Sequence, residues 1–251
     1  MRFWRSSSDR ADPAPSATDP APAAPDGFRG RVLRAAVERA LRAQQPLVTA
    51  HVAKIRAKDL DATPAAVIET LGRRYQRAVA GIGAAGGGIA IVPAIGTVVS
   101  LATATTEAIA ALNAAVLYTL AVAEVHRLPV DDVERRRALV LGIVMGEGGA
   151  ALMQKVTGGR DRWAHTVTEA LPLRALGPLN NSLGRWFVKR YVIRQIALGV
   201  GRALPLGLGV VIGGVGNVAA ARSVIRAAER AFGPAPERWP SGSVAPVGRV
   251  A

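Results

Sequence analysis

Residues 205–222 read PLGLGVVIGGVGNVAAAR, and small or special side chains recur there at every fourth position: Pro205, Gly209, Gly213, Asn217 and Ala221. On a helix of about 3.6 residues per turn, such a row makes one slowly winding ridge with almost no bulk. A second helix can approach that ridge backbone to backbone, as small-xxx-small pairs allow in membranes. Each helical glycine costs about 0.8–1.0 kcal/mol against alanine, so this many glycines call for close packing or a surface that must stay flat. Residues 203–221 carry no charge.

Upstream lies a second stretch of the same character. Residues 78–106 are uncharged, and Pro93-Ala-Ile-Gly96 interrupts them near the middle. With about 14 residues on each side of that break, the run is too short to cross a bilayer of ~30 Å twice. It fits a re-entrant, interfacial or buried hairpin. A helix is expected from about Thr97 to Arg127, stopped by Leu128-Pro129. Asp131 or Asp132 then caps a helix running to about Lys155. Ala138, Gly142, Gly146 and Ala150 form a second four-residue row within it.

Basic amphipathic segments flank these apolar runs. Thr63-Pro64 is a restart signal, a cap residue followed by proline at the first helical position. The helix it begins carries Val67, Ile68, Leu71 and Tyr75 and is expected to end in Arg73, Arg74 and Arg77. Residues 157–180 read as a connection with one helical turn at 162–170. Asn181 or Ser182 starts another helix, with Trp186, Phe187, Tyr191, Val192, Ile193 and Ile196 set against Arg185, Lys189, Arg190 and Arg194. A last helix closes at Phe232. No strand-period alternation bounded by hairpin turns occurs, so the expected class is all-α.

The ends differ in kind. Residues 1–27 hold five prolines among Ser, Asp and Ala and are expected to be a disordered arm without a secretory h-region. Residues 233–251, with four prolines, are expected to be a matching tail. One helical domain is expected between them, over 28–232.

Charge narrows the partners. The chain of 251 residues has a formal charge of +14, and the two ends sum to zero, so the excess sits on the body. A basic body favours anionic partners. Arg73, Arg74, Arg77, Arg135–Arg137, Arg185, Lys189, Arg190 and Arg194 are the candidates for holding anionic lipid headgroups. Nucleic acid is not an expected partner: the charge is dispersed, aromatics are sparse, and no helix-turn-helix or zinc signature appears.

No chemistry-bearing motif stands out. Gly81–Gly86 fits GxGxxG and Gly214–Ala219 fits GxGxxA, but neither sits between a strand and a helix with a second acid-tipped strand beyond. Cysteine is absent, and His51, His126 and His165 are scattered without metal-ligand spacing. No GxSxG elbow occurs. No catalytic residue, cofactor or metal is therefore expected. Glu107, Glu147, His126 and Asn217 meeting in one pocket would favour an enzyme.

The ridge and its flanks resemble the EcsC protein family. The residues that carry the resemblance are Pro205-x3-Gly209-x3-Gly213-x3-Asn217, then Arg222, and an Ala-rich helix ending at Phe232. The lead-in from Trp186 to Arg194 and the run Gly86-Gly-Gly88 with Pro93 are also similar. Arg202 and Leu206 depart from the small or apolar residues expected there. The resemblance implies a bacterial protein on the cytoplasmic side of the membrane, peripheral or partly embedded, accessory to a membrane or transport system. It carries no catalytic residue over. The alternative is a soluble bundle holding an apolar or lipid ligand in a Gly-lined cleft.

Overall fold

The computed structural model describes residues 35, 38–41, 45–89, 97–202 and 208–240, with side-chain surroundings described except at 45, 83–89, 97–105, 190–202 and 208–215. Among these residues all regular structure is helical, and the helices pack as one all-α bundle.

Local chemistry sets most boundaries. Helix α1 spans Gln45–Arg56 and buries Val48, Val52 and Ile55. Helix α2 spans Pro64–Ile89. It starts where Thr63 Oγ1 accepts the Ala66 N–H at 3.3 Å, with Pro64 in the first-turn position that needs no donor. Its buried stripe is Val67, Leu71, Tyr75 and Val79, one residue per turn. The end expected at Arg77 does not occur. No proline or polar cap lies between 77 and 89, so the backbone continues through its glycines.

Helix α3 spans Thr97–Val125. Arg127 takes a left-handed φ of 57°, Arg127 N–H donates to Glu124 O and Leu128 N–H to Ala123 O, both at 3.0 Å. This is the paired-bond stop that usually uses glycine, followed by a proline. Asp132 caps helix α4, Val133–Val144, accepting the Arg135 N–H at 2.9 Å.

The single helix expected from 132 to 155 is broken. Gly146 has φ +68°, and a new helix, α5, spans Glu147–Val156. Ala138, Gly142, Gly146 and Ala150 therefore do not form one ridge. The chain folds back on itself, and a Cβ on Gly149 would stand 2.3 Å from the Gly142 carbonyl oxygen. A Cβ on Gly142 would stand 2.7 Å from the ring of Trp163, which is buried.

Trp163 opens a short helix, α6, Trp163–His165, which runs into a π-helical turn, Thr166–Ala170. Helix α7 spans Leu173–Arg202, eight residues earlier than the start expected at Asn181. Pro178 lies inside it and removes one backbone bond of the second turn. Buried Asn180 offsets this by tying α7 to α4: its amide donates to Glu134 O at 2.9 Å and to Glu134 Oε2 at 2.6 Å. Helix α8 spans Leu208–Phe232 and stops at Gly233, φ +77°.

Residues 233–240, expected to belong to a tail, run back along the body. Trp239 Nε1–H donates to Ala62 O at 2.9 Å, and Arg56 lies 3.9 Å over the indole.

Helix α2 packs against both α3 and α8. Tyr75 stacks on Tyr118 of α3, with centroids 5.0 Å apart, and Gly72 faces Ile225 of α8. His126, just past α3, stacks on Phe232 at the end of α8 at 5.2 Å. So α2 runs antiparallel to both α3 and α8.

Candidate functional site

Antiparallel pairing carries the apolar stretches to one end of the bundle. The C-terminal part of α2, the N-terminal part of α3 and the N-terminal part of α8 all lead the same way. These are the helical parts of the uncharged runs 78–106 and 203–221. The break expected at Pro93–Gly96 and the first ridge residue, Pro205, lie outside the described residues. So do the surroundings of Gly209 and Gly213 on the ridge. Asn217 is half-buried and Ala221 is fully buried.

Exposed basic side chains stand near the start of these apolar parts on α2 and near their end on α8. With Gly72 opposite Ile225, antiparallel register brings exposed Arg77 and exposed Arg222 within about one turn of the same level. A Cβ on Gly148 of α5 would stand 3.0 Å from the ring of Trp186 on α7, and Glu147 next to Gly148 binds Arg226 of α8. Exposed Lys189 lies about one turn beyond Trp186 on α7. Arg185 is exposed and donates to Ser182 Oγ at 3.2 Å. The side chains of Arg190 and Arg194 lie outside the described residues.

Not every candidate cation is available. Arg73 pairs with Glu69 and donates to Thr70 Oγ1 at 3.1 Å. Arg74 is half-buried; its charge, after burial itself, helps hold His51 below the usual imidazole range. The Arg135–Arg137 run is not set out as a headgroup cluster, because all three side chains are bonded within the fold. Arg136 is buried and donates to Val130 O at 2.7 Å and Leu41 O at 2.8 Å. Arg135 donates to Val167 O at 3.1 Å, and Arg137 meets Glu38 at 3.2 Å. A triple-Arg run reads as surface charge; what ties it in are the carbonyls of Leu41, Val130 and Val167 and the Glu38 carboxylate.

At the opposite end is a cleft of about 570 Å³ that sequence reasoning did not find. Its walls come from the first turns of α2, the last turns of α3 and α8, and residues 233–235. Ile68, Val122, Ile225 and Phe232 make it apolar; Tyr118, His126 and Glu229 make it polar. Burial first, then the charges of His165 and Arg162, push His126 down to about 4, so its imidazole is neutral near pH 7. Burial and the nearby Glu229 charge raise the Tyr118 hydroxyl above its usual range, so it keeps its proton. One signal existed: in a chain with 4% aromatics, Tyr75, Tyr118 and Phe232 all fall on this end.

Glu107, Glu147, His126 and Asn217 do not share one pocket. Glu107 lies 19 residues before His126 along α3, roughly 28 Å away. Glu147 accepts Arg226 Nε–H at 2.5 Å and faces Arg230 at 3.5 Å. Among the described residues no group of three His, Asp or Glu could hold a metal. One described segment, Thr106–Val125, is long and apolar enough to cross a membrane, but most of it is buried inside the bundle. No protein-family model, curated protein or solved structure matches the chain.

Proposed function

We propose that this chain is a non-enzymatic, EcsC-like membrane-associated protein that acts on the cytoplasmic face of a bacterial membrane, accessory to a membrane or transport system. One end of the bundle enters the bilayer, and basic side chains at its foot hold anionic lipid. The observation that supports this reading most is the convergence of two uncharged helical runs at one end, with Arg77 and Arg222 at their base and Lys189 exposed on α7.

The lengths suit partial insertion. From Val79, the last described buried residue of α2, to Ile89 is about 15 Å of helix. That is half of a hydrocarbon core of ~30 Å, one leaflet's depth. Lysine and arginine stems at such a boundary lie along apolar surface while their charges reach headgroups. Each is worth about 1 kcal/mol near an anionic surface. Helix α7 differs, since Arg190, Arg194 and Arg202 continue up it; it is the flank that lies at the headgroup level.

Co-sedimentation with vesicles tests this. The protein should pellet with phosphatidylglycerol vesicles at low salt, and less with phosphatidylcholine. Replacing Arg77, Lys189 and Arg222 together by Gln should release it at moderate salt. Retention of the unaltered protein in the supernatant with anionic vesicles at low salt would sink the proposal. The second reading, a soluble bundle holding an apolar ligand, has the cleft beside Gly72 as its support. The polar groups there call for a ligand that is not purely apolar.

A further inference from the structure

We infer that the cleft between the start of α2 and the ends of α3 and α8 is a binding site for an organic cation, an ammonium group carried on an apolar body. It stands at the far end from the proposed membrane-facing helices and is independent of that reading.

Size and floor come first. A volume of about 570 Å³ is that of a small-molecule site. The floor, formed by Ile68, Val122, Ile225 and Phe232, takes an apolar body.

The cleft is also kept open at a cost. Gly72 sits inside α2, where glycine is about 1 kcal/mol worse than alanine. Packing does not require it: an added Cβ would meet Ile225 Cδ1 at 3.7 Å, an ordinary contact. What the missing side chain does is leave room between α2 and α8.

Charge then selects the head group. The chain carries +14, yet the ionised groups lining this cleft are Glu69, Arg73 and Glu229, a sum of −1. Glu69 and Arg73 are bound to each other. The Glu229 carboxylate has no ion pair or hydrogen bond among the described residues, while its charge reaches Tyr118. The neutral His126 ring, the Tyr118 hydroxyl oxygen and the Gln76 amide oxygen are acceptors that N–H donors can use. Aromatic faces add to the attraction for a cation. Arg162, whose stem lies against Gly233, is the opposing charge. It directs the ammonium toward Glu229 and Gln76, away from Gly233.

The test titrates the full chain with three probes of one shape: benzylammonium, benzyl alcohol and benzoate. Binding is followed by the Tyr118 and His126 ring resonances. Benzylammonium should bind about tenfold more tightly than benzyl alcohol, as one charge-assisted hydrogen bond allows. Benzoate should bind least. Glu229→Gln, a change at an exposed side chain, should bring benzylammonium to the level of the alcohol with the circular dichroism melt unchanged. Gly72→Leu should weaken all three by filling the cleft. Benzoate binding as tightly as benzylammonium would overturn the inference. So would a preference that survives Glu229→Gln, or the absence of any shift with all three probes.

Discussion

Glycine does opposite work in two parts of this bundle. Between α4 and α5, Gly142, Gly146 and Gly149 sit where no side chain fits. The backbone of one helix touches the other, Trp163 fills the space over Gly142, and the turn at Gly146 needs a positive φ. In α2, Gly72 and Gly81 sit where a methyl group would meet ordinary contact or nothing within 4 Å. Both parts look alike as sequence, small residues spaced along helices. The first set is demanded by packing; the second leaves space that packing did not ask for.

Substitution separates the two. Gly149→Ala should be the most damaging, because its Cβ would stand 2.3 Å from a carbonyl oxygen and 2.7 Å from Met145 Cβ. Overpacking of this kind costs about 1–3 kcal/mol or more, read as a lowered midpoint in urea. Gly146→Ala follows, at about 1–3 kcal/mol, since φ 68° with ψ −149° is a backbone region essentially reserved for glycine and Ser223 Oγ stands 2.3 Å from the added carbon. If either change is neutral, the two regions are not different in kind.

The cleft end responds to pH through a buried imidazole. Burial holds His126 at about 4 in the fold against 6.5 unfolded. The unfolded chain therefore takes up its proton first as pH falls. The stabilisation is fully present above about 6.5 and is lost progressively down to about 4. His51, also lowered by burial, adds in the same direction. The melting temperature should drop across that window, and less so in His126→Gln; equal slopes would mean the imidazole is not buried as described.

Gly81→Ala should act with the opposite sign, raising stability by up to about 1 kcal/mol through helix propensity alone. A loss there would show hidden close packing on α2 and erase the contrast. The smallest effect is expected at the exposed Glu147–Arg226 pair: Glu147→Gln should lower the melt slightly at low salt and not at high salt.

The legible parts of the fold were those governed by nearest-neighbour chemistry. Thr63-Pro64, Asp132 and Phe232-Gly233 mark boundaries because a cap or a proline acts within one turn. The all-α class follows from the same local signals. The start of α7 was not legible, because Pro178 sits in a helix whose fixing bond, Asn180 to Glu134, comes from 46 residues away. The break at Gly146 was hidden for a similar reason: Ser223 Oγ, which accepts the Glu147 N–H at 3.3 Å, arrives from α8. The cleft spans Ala65 to Ala235, so no window of sequence contains it. Of the ridge, only Asn217 and Ala221 have described surroundings.

The docking of Trp239 has a further consequence. Its indole fastens residue 239 to residue 62, 177 positions earlier, and covers Arg56 at the end of α1. Helices fray from free ends, but here the chain after α8 is buckled onto the turn that precedes α2. Unravelling from that side must first undo the buckle, so protease trimming back to Phe232 should loosen the start of α2, far away in sequence, as readily as α8 itself.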